Sequence, residues 1–220
     1  MLELARGGIA EGLWLAALRQ TAGRGREGRT WVSPVGNLYI STLVRIRPSD
    51  PAAPTLALVA AVALEETVRV FAPALAGLAI KWPNDLLIDG AKLSGILLER
   101  EGDAVVIGFG VNIAERPDNL DRAVTSLADH GIAVERRVFA ETLAEVFGRW
   151  LERWRGEGLG VVRDRWVERA LAKDTALTAR LPDGSSFDGL FQGLDQHGAL
   201  ILRLADGRTH VMHAGDVFLI

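Results

Sequence analysis

Two clusters in this chain carry residue types that can manage anions. The first runs from Gln20 to Trp31: three glycines alternate with three arginines between Gly23 and Arg29, and an indole follows. Glycine lets a backbone approach a ligand closely, and free N–H groups in such a loop suit an anion. Arginine adds planar, permanently charged forks for carboxylate or phosphate. Trp31 supplies a stacking face for a base. The loop reads as a place where a small acid meets a nucleotide phosphate. The second cluster is Lys81-Trp-Pro-Asn-Asp85, followed seven residues beyond Asp85 by Lys92-Leu-Ser-Gly95. A strand end delivers the amide of Asn84 and the carboxylate of Asp85. A hairpin turning at Asp89-Gly90 returns Lys92 beside them. A lysine charge there can neutralise a carboxylate or phosphate oxygen, and Asp85 can orient or deprotonate an incoming amine.

Competing readings of the same residues are weaker. Gly23-x-Gly25-x-x-Gly28 matches a dinucleotide-binding pattern on paper, but that pattern must link a strand to a helix, and Val32-Ser-Pro-Val-Gly36 starts no helix. A nucleic-acid patch is disfavoured because Glu27 interrupts the arginines and the net charge is −3. His210 and His213 tempt a metal reading, yet odd spacing in a strand puts them on opposite faces, so no metal site is expected. There is no cysteine, which rules out disulfides and thiolate metal sites. The longest apolar run, Leu56 to Leu64, is too short to span a bilayer, and the N-terminus is no signal peptide. A soluble, cytoplasmic protein is expected.

The elements that must position these clusters follow from periodicity. With 220 residues, 49% of them hydrophobic, the chain can build a sizeable core in one or two domains. Residues 2–6 read as helix, stopped by Gly7-Gly8. The apolar run 13–19 reads as a buried strand, and 37–46 as the next strand. Residues 55–72 form a mostly buried helix ending before Pro73. Strands follow at 78–82, at 86–88 with 92–100 around Asp89-Gly90, and at 104–113. In the last of these, Gly108 and Gly110 remove side chains at alternate positions of one face, as a close ligand or a bulge would require. Val138, Phe139, Leu143, Val146, Phe147, Trp150 and Trp154 recur on one face of a long helix, and residues 159–171 form another. After Lys173 short strands alternate with turns at Asp183-Gly184, Gln196–Gly198 and Asp206-Gly207, the pattern of a small barrel. The expected division is residues 1–172 and 173–220.

The chain resembles the bacterial biotin protein ligases. The likeness rests on Gln20–Trp31, on Lys81–Asp85 with Lys92–Gly95, and on Gly108-Phe-Gly-Val-Asn-Ile113, supported by Thr125-Ser-Leu127 and the β-rich tail. It implies an α/β (α+β) fold, a mixed sheet flanked by helices and related to the lipoate ligases, with a small SH3-like C-terminal barrel. It implies formation of biotinyl-adenylate from biotin and ATP with Mg²⁺, then transfer to a lysine of a biotin carboxyl carrier domain. By resemblance, Gln20, Gly23 and Arg24 hold biotin, with Gly95, Gly108 and Gly110 leaving room for its rings and chain. Lys92 bridges the biotin carboxyl and the α-phosphate, and Arg24 orders the loop. Arg26 and Arg29 hold phosphate oxygens. Trp31, Asn84 and Asn112 bind adenine, and Asp85 positions the acceptor lysine. The family's usual Asp-Ser-Thr-Asn segment and a winged helix-turn-helix do not precede the first block, so ligase activity without operator binding is expected. A lipoate or octanoate ligase and a biotin-binding protein without turnover are the alternatives. An unpaired sheet edge allows a homodimer or strand addition by a carrier. Like charges in the arginine loop disfavour order until an anion arrives.

Overall fold

The computed structural model describes residues 1–117 and 122–220. Its larger sheet has six strands in the order β1 (Trp14–Ala17), β2 (Leu38–Arg45), β6 (Ala104–Val111), β5 (Ala91–Glu101), β4 (Asp85–Ile88) and β3 (Leu78–Lys81). Every ladder in it is antiparallel, because β3 to β6 follow one another through tight turns that only antiparallel neighbours can use. Parallel pairing, expected of a mixed sheet, is confined to two single bridges, Ile80 with Ala170 and Lys92 with Val124.

The two faces of this sheet differ. Leu38, Ile40 and Val44 of β2 and Val105, Ile107, Phe109 and Val111 of β6 join the main core. The core is completed by α2 (Leu56–Phe71), α3 (Arg136–Glu157) and α4 (Leu159–Glu168). Trp150 and Trp154 are buried as core residues. Their indole N–H groups donate to Glu66 Oε2 and Thr55 Oγ1, both at 2.9 Å, as buried indoles require. Val138, placed on the apolar face by its spacing, is exposed. It sits in the first turn of α3, where its backbone N–H donates to the capping carboxylate of Glu135.

On the opposite face the register stacks Tyr39, Gly110 and Gly95 in one row and Ser41, Gly108 and Leu97 in the next. Helix α1 (Leu2–Arg6) covers only the far end, through Ala5 packed with Leu43, Ala104 and Val106. The expected burial of the first strand is wrong for most of its residues. β1 pairs with β2 alone and forms the sheet edge; Trp14 packs inward on Phe109 and Phe147, while Leu15 and Leu18 are exposed.

Beyond α4 the chain runs beside β3, where Ile80 N donates to Arg169 O and Leu171 N to Ile80 O at 2.8 and 3.1 Å. It then enters a second antiparallel sheet, ordered β10 (Thr209–Met212), β9 (Leu200–Arg203), β8 (Ser186–Leu194), β7 (Ala176–Arg180) and β11 (Asp216–Leu219). This sheet is open, not the closed barrel anticipated. β10 and β11 lie at opposite ends of the order, and each has a single partner, β9 and β7. A bulge between Phe191 and Gly193 of β8 bends the sheet. Its β8–β9 turn rests on the larger unit, with Trp82 Nε1 donating to Gly198 O at 3.3 Å.

Candidate active site

Where the open face of the larger sheet meets β11, a cavity of about 490 Å³ collects most of the residues singled out in the sequence. Gln20, Arg24, Arg26, Arg29, Trp31, Asn84, Asp85, Lys92, Gly95, Gly108 and Gly110 all line it. Gly23 and Asn112 do not. Gly23 closes the arginine loop on itself: its carbonyl accepts from Trp31 N at 2.9 Å, and a Cβ there would lie 2.5 Å from the Trp31 carbonyl. Asn112 is buried, donates to Thr125 O at 3.0 Å and accepts from Asn37 Nδ2 at 3.4 Å. Asn37 is fully buried, and its Oδ1 takes the backbone N–H groups of Ile113, Ala114 and Glu115, each at 3.0 Å. These two amides fix the chain leaving β6.

A bulge shapes the corner where Asp85 and Lys92 meet. Asp85 pairs with Gly95 and Leu86 with Ser94, but Leu87 pairs with Lys92, so Leu93 is the extra residue. In a regular ladder Lys92 would share a face with Ser94, which is fully buried. The bulge turns Lys92 onto the face of Asp85 and Gly95. Lys92 Nζ donates to Asp85 Oδ1, and Lys81 Nζ approaches Asp85 Oδ2 at 3.1 Å. Lys81 Nζ also donates to the Val217 carbonyl of β11 at 2.7 Å. Burial alone would raise the Asp85 pKa, but the Lys92 and Lys81 charges overcome it and hold the carboxyl below its usual range. For Lys92 burial is the larger influence and pulls the amine below an ordinary lysine, although Asp85 opposes it. Asn84 is tied to β5: Nδ2 donates to Ile96 O, and Ile96 N to Asn84 O at 3.0 Å.

The arginine loop is a small hairpin over this corner. Arg24 bridges Thr30, Gly25 N donates to Arg29 O at 2.7 Å, and Glu27 and Gly28 turn at positive φ. Trp31 lies on the glycine floor. A Cβ on Gly110 would come within 2.6 Å of the indole, and one on Gly95 within 3.1 Å. Gly108 differs, since its nearest neighbour would be Ser41 Oγ at 3.5 Å, ordinary contact. The floor is therefore filled by Trp31 at one end and open at the other. The indole N–H is buried there without a partner. Such a donor costs about 1–3 kcal/mol.

Several lining residues were not picked out from the sequence. Asp216 and Phe218 of β11 and Ser41 of β2 carry no local motif. Lys81 stood inside a recognised block without a role. Arg122 enters the cavity and adds to the positive potential at Lys92. Among the described residues, no group of three His, Cys, Asp or Glu could hold a metal ion, and no helix is long and apolar enough to cross a membrane.

This corner has what activation of a carboxylate by a nucleotide needs: buried lysine charge, a side-chain-free floor and arginines facing them. Comparison with known proteins agrees. Residues 8–112 match the biotin/lipoate A/B protein ligase family, and residues 177–220 match the biotin protein ligase C-terminal domain. The biotin--[acetyl-CoA-carboxylase] ligase of Paracoccus denitrificans is 39% identical over 96% of this chain and 92% of its own length. The enzyme of the same name from Mycobacterium tuberculosis is 35% identical over 99% and 82%. Among solved structures, biotin protein ligase from Aquifex aeolicus in complex with biotin and ATP superposes with a TM-score of 0.86 at 23% identity. That match covers 96% of this chain and 91% of that one, and it bears on the fold. The Leishmania major ligase in complex with biotinyl-5-AMP gives 0.65 at 30% identity, over 97% and 94%. The chain belongs to the biotin protein ligase family.

Proposed function

We propose that this chain joins biotin to a lysine of a carboxylase carrier domain in two steps, both at the Lys92 corner. In the first, a biotin carboxylate oxygen attacks the α-phosphorus of ATP. The P–O bond to the β-phosphate breaks, and pyrophosphate leaves. Two anions must meet, so fixed positive charge and alignment supply the catalysis. Lys92 stands where carboxylate and α-phosphate oxygens converge. Arg26, Arg29 and Arg122 surround the phosphates, and Gln20 and Arg24 the acid. The aliphatic chain and rings lie along Gly95, Gly110 and Gly108, which requires the Trp31 indole to move off Gly110 and toward the base, beside Asn84. In the second step a carrier amine attacks the acyl carbon of the mixed anhydride, the C–O bond to phosphate breaks, AMP leaves and the amine loses a proton. Asp85 is the carboxylate placed to orient that amine. Gly23 and Asn112 serve by shaping the loop and the turn after β6.

Mg²⁺ would arrive on the triphosphate, since Asp85, the acid beside Lys92, is already engaged by two lysines. The observation that carries this reading is the buried Lys92–Asp85–Lys81 cluster at the end of the glycine floor. Biotin-dependent exchange of pyrophosphate into ATP tests it. Exchange with lipoate instead would move the substrate to the sister family, and biotin binding without exchange would leave a binding protein.

A further inference from the structure

The arginine loop is paired with an anion of the protein's own. Arg26 Nη1 donates to Asp216 Oδ1 at 2.8 Å, Arg26 Nη2 to the Gly215 carbonyl at 3.0 Å, and Arg29 Nη2 to Asp216 Oδ2. One carboxylate, with a side chain 16% exposed, thus offers one oxygen to each of two guanidiniums. A phosphate would present the same pair of oxygens. Asp216 is also fixed from behind. It pairs with Arg180 at the start of β11, and the next residue, Val217, accepts from Lys81. β11 is therefore held to the larger sheet by a contact independent of the loop.

We infer that Asp216 is an internal stand-in for substrate phosphate: it pins the loop when no nucleotide is bound and surrenders Arg26 and Arg29 to the incoming phosphates. The inference rests on the reading of those two arginines as phosphate contacts. A guanidinium fork cannot serve a carboxylate and a phosphate in full geometry together, and the two anions repel. The pinned loop and the nucleotide-bound loop are then competing states, so apparent nucleotide affinity is reduced by the fraction pinned. The Lys81–Val217 contact lets the exchange proceed while β11 stays docked.

The test titrates the full chain with α,β-methylene-ATP in the presence of biotin, followed by calorimetry. Asp216→Asn should bind this analogue about three- to tenfold more tightly than the parent chain. Asp216→Glu, which keeps the charge, should bind within about twofold of the parent. Trypsin should cut after Arg24, Arg26 and Arg29 faster in ligand-free Asp216→Asn, with the difference vanishing at saturating analogue. Unchanged or weaker binding by Asp216→Asn overturns the inference, as does an unaltered cleavage rate. Arg26→Ala and Arg29→Ala should weaken binding. If they bind as well as the parent, the phosphate-contact reading itself fails, a result distinct from weakened arginine variants beside an unimproved Asp216→Asn.

Discussion

The floor and the roof of the cavity are built by different means. The floor is sheet: Gly95, Gly108 and Gly110 are locked in register by ladders on both sides, and Asn37 and Asn112 anchor the chain beyond β6. The roof is a short hairpin held by its own turn, by Trp31 resting on glycine and by two arginines reaching one carboxylate of another sheet. The floor's contacts are numerous backbone bonds that no ligand replaces. Those of the roof are the ones a nucleotide and an acid would compete for. A site that must admit two anions and then exclude water gains from confining motion to the part with few bonds.

Five substitutions would break or sharpen this contrast, in decreasing order of expected effect. Lys92→Ala removes the charge at the end of the floor and should lower biotin-dependent pyrophosphate exchange by about 10²- to 10³-fold, with the melting temperature showing whether the fold survives. Gly110→Val would strike the position the indole and the substrate share; KM for biotin should rise about tenfold or more, at a cost near 1–3 kcal/mol in a urea titration. Gly108→Ala is the sharper control. Its added methyl meets nothing closer than ordinary contact in the unliganded protein, so stability should hold within about 0.5 kcal/mol while KM for biotin rises. Equal KM in parent and variant would remove Gly108 from the biotin path.

The smallest effects concern protons. The Lys92 cation is lost as the pH rises through a value below the 10.5 of an ordinary lysine. The alkaline limb of kcat/KM, which reports the free enzyme, should fall earlier than such a lysine predicts, and Lys92→Arg should push it out of range. Asp85 titrates the other way. Its folded pKa lies below 3.8, so its stabilising contribution is complete above that value and is lost as the pH falls through the folded pKa. Asp85→Asn should therefore flatten the dependence of melting temperature on pH at the acid end.

What the sequence disclosed was mostly local. The Asp89-Gly90 hairpin, the alternate glycines of β6 and the tryptophan-bearing face of α3 are written in turn chemistry and period, and the structure places each as read except Val138, which is exposed. The arginine loop and the Lys81–Asp85 block stand out by residue type, and one cavity brings them together. What stayed hidden depends on separation along the chain. Asp216 lies 190 residues from Arg26, and no pattern around it signals a partner. The exposed edge at Leu15 and Leu18 could not be told from a buried strand, because an apolar run does not say whether anything covers it. Asn112 belongs to a recognisable motif, yet its amide is spent on the Thr125 carbonyl and the Asn37 side chain inside the protein.

The bulge at Leu93 has a consequence for how this site tolerates length changes. Alternation in a strand is a parity, and the single extra residue reverses it. At its spacing of three from Gly95, Lys92 reaches the face of Gly95 because Leu93 bulges out of the ladder. Deleting Leu93 would leave an unbroken ladder in which Lys92, now beside Ser94, still pairs with Leu87 and keeps the face of Asp85 and Gly95. Loss of Leu93 should therefore show as lowered stability, from the missing buried side chain, rather than as a misdirected lysine.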